Sequence, residues 1–325
     1  MDPDALTRAA EVLRDAPAVA IACHVNPDAD ALGSMLALGQ HLADRGTEVT
    51  CAFPNPSAEL PRWAASLPGR ELLVDPDAFP KAPAVMVTCD CASFDRLGAL
   101  GRAADAAAEL IWIDHHRSND GRGTIRLVDP DASSTCELVA ELIDAIGGDM
   151  SDGSAMCMYA GLVTDTGRFQ YEAAGPSALR LAARLREHRF DHAALARSLY
   201  EDNRAAYLEV ASVAAARARL EPEADLVWTY VLWADLERAG VGPADVDDLI
   251  DVVRTAREAD VAALVKQQRD GRFKVSVRSR GGHDLSAVAT AFGGGGHRLA
   301  AGYTSEMGPA ETVAALRDAL ASARV

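Results

Sequence analysis

Four short apolar runs rich in Val and Ile, at 18–23, 48–53, 84–89 and 110–113, are separated for the most part by Ala-rich amphipathic segments such as 31–44 and 95–108. No other feature of the chain restricts its fold as much. Apolar runs of this length read as strands buried on both faces. Strands that alternate with helices imply a mostly parallel sheet flanked by helices. Further helices are expected at 135–147, 151–164 and 176–188, and one or two connecting helices between 191 and about 219. "EPEAD" at 221–225 punctuates the chain. A second strand-and-helix region follows, with strands at 226–233, 261–267 and 273–279, a Gly-rich loop at 293–296 and a last helix near 309–323. The fold class expected is α/β, in two domains, 1–188 and a smaller one at 222–325, joined by a helical linker at 189–221.

Several of these runs end in side chains that a core strand does not need. "HVNPDAD" carries His24, Asp28 and Asp30; "VTCDC" carries Asp90; "IWIDHH" carries Asp114, His115 and His116. "GLVTDTGRF" places Asp165 at the end of the helix expected at 151–164. In an open parallel sheet, ligands gather at the carboxyl ends of the strands. One edge is therefore expected to collect His24, Asp28, Asp30, Asp90 and His115, with Asp165 arriving from its helix. Each stretch alone also fits an ordinary turn, a helix cap or a solvated loop. Four in one α/β region favour a shared purpose.

Carboxylates this crowded need protons, basic partners or cations. No Lys lies in or beside any of the four stretches. A mixed set of carboxylates and imidazoles without a thiolate pattern suits Mn²⁺ better than zinc in a cysteine site. Six or so ligands fit two ions, about 3.5–4 Å apart, sharing a carboxylate.

Charge and composition exclude some alternatives. The net charge of −16 argues against a long sheath of phosphate contacts along duplex nucleic acid. It leaves a small phosphorylated substrate open, because cations supply positive charge locally. No apolar run reaches the ~20 residues of a membrane helix, and the N-terminal stretch "MDPDALTRAAEVLRDA" lacks the pattern of a secretion signal. No membrane partner and a cytoplasmic location are expected. The six cysteines form no CxxC pair and read as reduced, mostly buried thiols.

These motifs carry a family likeness. The chain resembles the DHH phosphoesterase superfamily, whose signature triplet stands here as Asp114-His115-His116, and the four stretches look like its motifs I to IV in order. "VSVRSR" at 275–280 followed by "FGGGGHRLAAG" at 292–302 looks like its substrate-binding DHHA1 domain. The resemblance implies an N-terminal DHH domain, a DHHA1 domain and an active site in the cleft between them. Within the superfamily the chain looks most like the short bacterial nanoRNase and 3′-phosphoadenosine-5′-phosphate phosphatase group, some of whose members also cleave cyclic di-AMP or its linear product. It implies that His24, Asp28 and Asp90 hold one Mn²⁺ and that Asp30, Asp90, His115 and Asp165 hold the other, with Mg²⁺ or Co²⁺ as substitutes. His116 would face the substrate phosphate or leaving group, and Asp114 would orient a histidine.

Activity follows from that ligand set. Two cations can activate a bridging water for in-line attack on phosphorus, and His116 is expected to help protonate or stabilise the leaving oxygen. In the second domain, Gly294, Gly295 and Gly296 let backbone approach a phosphate, and His297 can bind phosphate or stack on a base. Arg278 and Arg280 suit bidentate phosphate contact. The substrate expected is a short RNA, a mononucleotide or a dinucleotide. A homodimer is implied by the likeness alone. Two alternatives stay open: a pyrophosphatase or exopolyphosphatase on the same N-terminal half, and an RNA- or nucleotide-binding protein with an inactive hydrolase half.

Overall fold

The computed structural model describes residues 1–55 and 60–324 and divides into two compact units, Met1–Asp202 and Asn203–Val325. In the first unit the order is α1 (Pro3–Asp15), β1 (Ala18–Cys23), α2 (Ala29–Asp44), β2 (Glu48–Ala52), β3 (Val85–Cys89), α3 (Gly101–Ala106), β4 (Glu109–Asp114) and β5 (Ile125–Val128). Helices α4 (Thr135–Ile146), α5 (Asp152–Asp165), α6 (Pro176–Leu185) and α7 (His192–Tyr200) complete it.

The five strands form one parallel sheet in the order β2-β1-β3-β4-β5. Its two faces follow the period of two in each strand. Val19, Ile21 and Cys23 of β1 join the larger core beneath α1, α2, α4 and α5, while Ala20 and Ala22 face a smaller core with Met86, Leu97 and Trp112. The strand order reverses between β1 and β3, and such a switch point opens a crevice at the carboxyl ends of the strands. Cys23 stands opposite Cys89, and Cys89 opposite Ile113. His24 and Asp90, which follow the first two, and Asp114, the last residue of β4, therefore stand side by side at the carboxyl edge of the sheet.

Helix α5 carries Asp165 close to α2, and Gly161 makes that approach possible. A Cβ there would lie 2.4 Å from Cys136 Sγ and 2.9 Å from both Cα and Oδ1 of Asp30. Gly161→Ala is expected to destabilise the first unit by about 1–3 kcal/mol through overpacking. A melting point lower by several degrees is the readout; an unchanged one would mean that the helices part without cost.

The second unit contains α8 (Ala205–Arg217), β6 (Arg219–Glu221), β7 (Leu226–Val231), α9 (Trp233–Ala239), α10 (Leu249–Val253), β8 (Val261–Gln267) and β9 (Phe273–Ser279). Then come α11 (Leu285–Ala291), β10 (Gly295–His297), β11 (Ala300–Ser305) and α12 (Pro309–Ala321). Its mixed sheet runs β10-β11-β9-β8-β7-β6, with only β7 and β8 paired in parallel. Of the segment expected to link the domains, α7 belongs to the first unit and α8 to the second.

Two local expectations need correction, and one strand was not foreseen. The helix expected at 95–108 is a 3-10 turn, Phe94–Leu100, broken by Gly98 at φ 48°, before the short α3 begins. Strand β5 escapes the sequence pattern because "IRLV" is four residues long and interrupted by an exposed Arg126. The Gly-rich segment is partly a strand: β10 pairs with β11, whose small residues "AAGYTS" hide its strand character.

Candidate metal centre

The first unit brings His24, Asp28, Asp30, Asp90, Asp114, His115, His116 and Asp165 together. Among its described residues, three groups lying wholly within this unit have ligand atoms all within 4.8 Å of one another: His24 with Asp28 and Asp90, Asp30 with His115 and Asp165, and Asp90 with Asp114 and His116.

Local structure places each of them. Asn26, at φ 53°, turns the chain after β1, and Asp28 caps α2, its Oδ1 accepting from the N–H groups of Asp30 at 3.1 Å and Ala31 at 3.0 Å. Helix cap and ligand are thus compatible: Oδ2 of the same carboxylate lies 3.8 Å from His24 Nε2. Asp90 sits just past β3 at φ 60°, a left-handed conformation that Asp tolerates better than most residues, and its N–H donates to Ile113 O at 2.9 Å. Asp165 is the last residue of α5.

Asp90 is the centre of the group. It is 2% exposed. Its Oδ2 lies 3.4 Å from His24 Nε2, and its Oδ1 lies 3.7 Å from His115 Nε2. His115 Nε2 also lies 3.3 Å from Asp165 Oδ2 and 3.8 Å from Asp30 Oδ2, while its Nδ1 is 3.2 Å from Ala132 O. His116 pairs through Nδ1 with Asp114 Oδ1 at 2.7 Å, and Asn119 Nδ2 donates to the other Asp114 oxygen at 2.6 Å. Asp114 is therefore buried among donors and orients His116.

Electrostatics shows a site short of positive charge. Burial, with Asp90 next to it, raises the Asp30 carboxyl to about 6. Burial and the carboxylates of Asp30, Asp28 and Asp90 push Asp165 well above the usual range. Burial opposes protonation of His24, but Asp28 and Asp90 outweigh it and push the imidazole up to about 10. Burial also disfavours ionised Asp90, yet the three histidines hold it well below the ordinary carboxylate range. Without cations the cluster balances its charge with protons, and the donor set of carboxylate oxygens and imidazole nitrogens fits hard divalent ions.

Some contributors escape the sequence pattern. Arg96 Nη2 lies 2.7 Å from His24 Nδ1, which is also 2.8 Å from Val25 O. Thr135 donates from Oγ1 to Asp90 Oδ1 at 2.9 Å, and the N–H groups of Thr135 and Cys136 donate to the two Asp30 oxygens at 2.6 and 3.0 Å. The Ser-x-x-Glu spacing of 134–137 is a readable signal for the start of α4, but not for what that start touches.

The remaining expected residues lie in the second unit. Arg278 is in β9 and half-buried; His297 ends β10. Arg280 donates from Nη2 to the carbonyls of Arg254 at 2.9 Å and Ala256 at 3.0 Å, which gives it a structural task. Gly294 has a steric reason to be glycine, since a Cβ would lie 2.2 Å from Gly302 O. Gly295 and Gly296 lie in β10.

Carboxylates and imidazoles crowded at the switch point of an open sheet are the equipment of hydrolases that cut phosphate esters. The chain belongs to the DHH family: the family model for its N-terminal domain matches residues 18–162, and that for the DHHA1 domain matches residues 226–323. It is 32% identical over 297 residues to the bifunctional oligoribonuclease and PAP phosphatase NrnA of Thermus thermophilus, covering 91% of this chain and 86% of that protein. It is 28% identical over 291 residues to a probable enzyme of the same name from Streptococcus mutans, with 87% of each covered. An exopolyphosphatase-related protein from Bacteroides fragilis has the same fold, at a TM-score of 0.90 and 22% identity, over 99% of this chain and 96% of that one. The chain is thus a phosphoesterase. No helix among the described residues is long and apolar enough to cross a membrane.

Proposed function

We propose that the chain hydrolyses the phosphate ester bonds of short oligoribonucleotides and of 3′-phosphoadenosine 5′-phosphate, releasing mononucleotides, or AMP and phosphate. Linear and cyclic di-AMP belong to the same substrate class. The observation that carries this is Asp90, with one oxygen turned to His24 and the other to His115. His24, Asp28 and Asp90 would hold one Mn²⁺; Asp30, Asp90, His115 and Asp165 would hold a second. When bound, such ions act as Lewis acids toward phosphate oxygens and acidify water.

The chain's own residues do the rest. His24, Asp30, Asp90 and His115 are buried, while Asp28 stands exposed at the rim of the cluster. Asp114 Oδ1 holds Nδ1 of His116 at 2.7 Å, and in the charged imidazole Nε2 carries the second proton. Burial disfavours that charge, but Asp114 and Asp90 raise the imidazole above its ordinary value. As water attacks phosphorus and the ester P–O bond breaks, Nε2–H of His116 delivers its proton to the leaving oxygen. Arg278 and His297 are proposed to hold the rest of the nucleotide. The same proposal includes a homodimer, which light scattering on the purified chain decides.

Purified protein supplied with Mn²⁺ is expected to release AMP or mononucleotides from 3′-phosphoadenosine 5′-phosphate and from a 5′-phosphorylated RNA dinucleotide. An Asp114→Ala, His115→Ala double variant is expected to release neither. His116→Ala should lose much more rate on a ribose leaving group than on p-nitrophenolate, which departs without a proton. Faster turnover of pyrophosphate than of either nucleotide would move the choice to a pyrophosphatase.

A further inference from the structure

Thr135 touches both halves of the acidic cluster, and no ligand assignment uses it. It is the first residue of α4 and wholly buried. Its position is set by a capping arrangement that does not need its side chain. Ser134 Oγ accepts from Glu137 N–H at 3.3 Å, and Glu137 Oε2 accepts from Ser133 N–H at 2.8 Å and Ser133 Oγ–H at 2.6 Å. The hydroxyl of Thr135 is therefore left for a partner outside the helix, and that partner is Asp90 Oδ1. The Thr135 N–H meanwhile goes to Asp30 Oδ2.

A carboxylate shared between two cation sites must hold both oxygens in place. Rotation about its Cβ–Cγ bond would turn one oxygen away from each side. Asp90 has imidazoles on both sides, His24 toward Oδ2 and His115 and His116 toward Oδ1. His115 and His116, at 3.7 and 3.6 Å, lie beyond hydrogen-bond distance of Oδ1, and His24 reaches Oδ2 only through a long contact of 3.4 Å. The Thr135 hydroxyl, at 2.9 Å from Oδ1, makes the short bond.

We propose that Thr135 is a positioning residue: its hydroxyl fixes the rotation of Asp90 so that each carboxylate oxygen faces one cation site, while its N–H orients Asp30 in one of them. This rests on the two-cation reading of the cluster. Groups that hold metal ligands from outside are worth about 10–100-fold in metal affinity.

The test is Thr135→Val, which keeps the branched shape and the N–H and removes only the hydroxyl. Mn²⁺ titration of the purified chain by calorimetry, with electron paramagnetic resonance of the same samples, reads affinity, stoichiometry and coupling between ions. The wild type is expected to bind two ions with an exchange-coupled spectrum. Thr135→Val is expected to bind the weaker ion about 10–100-fold less tightly, with loss of the coupled signal in favour of isolated Mn²⁺, and Thr135→Ser to restore both. Should the valine variant fail to fold by circular dichroism, Thr135→Ala carries the same comparison without branched bulk at the helix start. Wild-type affinity and coupling in a folded valine or alanine variant overturn the role of Thr135 and leave the two-cation reading standing. A wild type that binds no Mn²⁺ overturns both.

Discussion

Asp90→Asn is expected to lower phosphoesterase turnover by about three orders of magnitude or more, with the fold intact. Asp90 faces both His24 and His115. An amide has one oxygen and one donor nitrogen, so it can serve one cation side at most. Stabilisation of transferring phosphate by bound cations is worth several kcal/mol, and each ~1.4 kcal/mol is a factor of ten in rate. The backbone accepts the change, because Asn is at least as tolerant as Asp of the left-handed φ of 60° at this position. The Asn variant is expected to bind no more than one Mn²⁺ per chain. Wild-type turnover together with two bound ions would remove Asp90 from the shared position.

Removing divalent cations should abolish activity and also uncover a pH dependence of stability that the loaded protein lacks. In the cation-free cluster Asp30 stands at about 6 and His24 at about 10, both above their ordinary values. A group raised on folding stabilises below its unfolded pKa and loses that contribution as pH rises through the folded value. Asp30 loses its share through about 6, and His24 loses its share toward about 10. Asp90 is shifted the opposite way, but its contribution is already complete above about pH 5. Asp28 is lowered as well, and its contribution is likewise complete by then. The other shifts within the cluster are all upward and act in one direction. His41 and His192, lowered by burial, act the other way but do so with or without cations, so the melting point of the stripped protein is expected to fall increasingly below that of the loaded protein between about pH 5 and 9. Cations displace the protons from Asp30 and His24, so Mn²⁺ affinity should rise with pH over the same range. At a concentration of about 100 times Kd, an ion stabilises by about 2.7 kcal/mol, a gain of several degrees for a unit of this size. Calorimetric titration in buffers of different ionisation enthalpy measures the released protons. Binding without proton release, or a gap between loaded and stripped melting points that does not widen across this range, would contradict the assignment.

Much of the architecture and most of the cluster is legible in the chain. Valine and isoleucine runs at β1, β3 and β4 are strands because buried parallel strands are apolar on both faces. Acidic and histidine residues directly after them stand out against that background, and all eight expected in the first unit converge. The second unit was less readable. Its Gly-rich segment suggests a phosphate-gripping loop, but Gly294 also answers to the close approach of β11. Arg280 looks free in the sequence, yet donates to the chain after α10.

By itself, then, the sequence determined the α/β class and the kinds of ligand atom at the strand ends, because both are written in residue type and short-range period. Which of those ends meet was decided by the sheet order β2-β1-β3-β4-β5. Parallel apolar strands read alike, and no local pattern says that β3 crosses to lie against β1. Only that order brings Thr135 to Asp90 across 45 residues, Arg96 to His24 across 72, and the start of α4 to Asp30 across 105. Serine, threonine and arginine are common at helix starts and on surfaces for ordinary reasons of capping and solvation, so these three contacts carry no signal until the tertiary structure closes them.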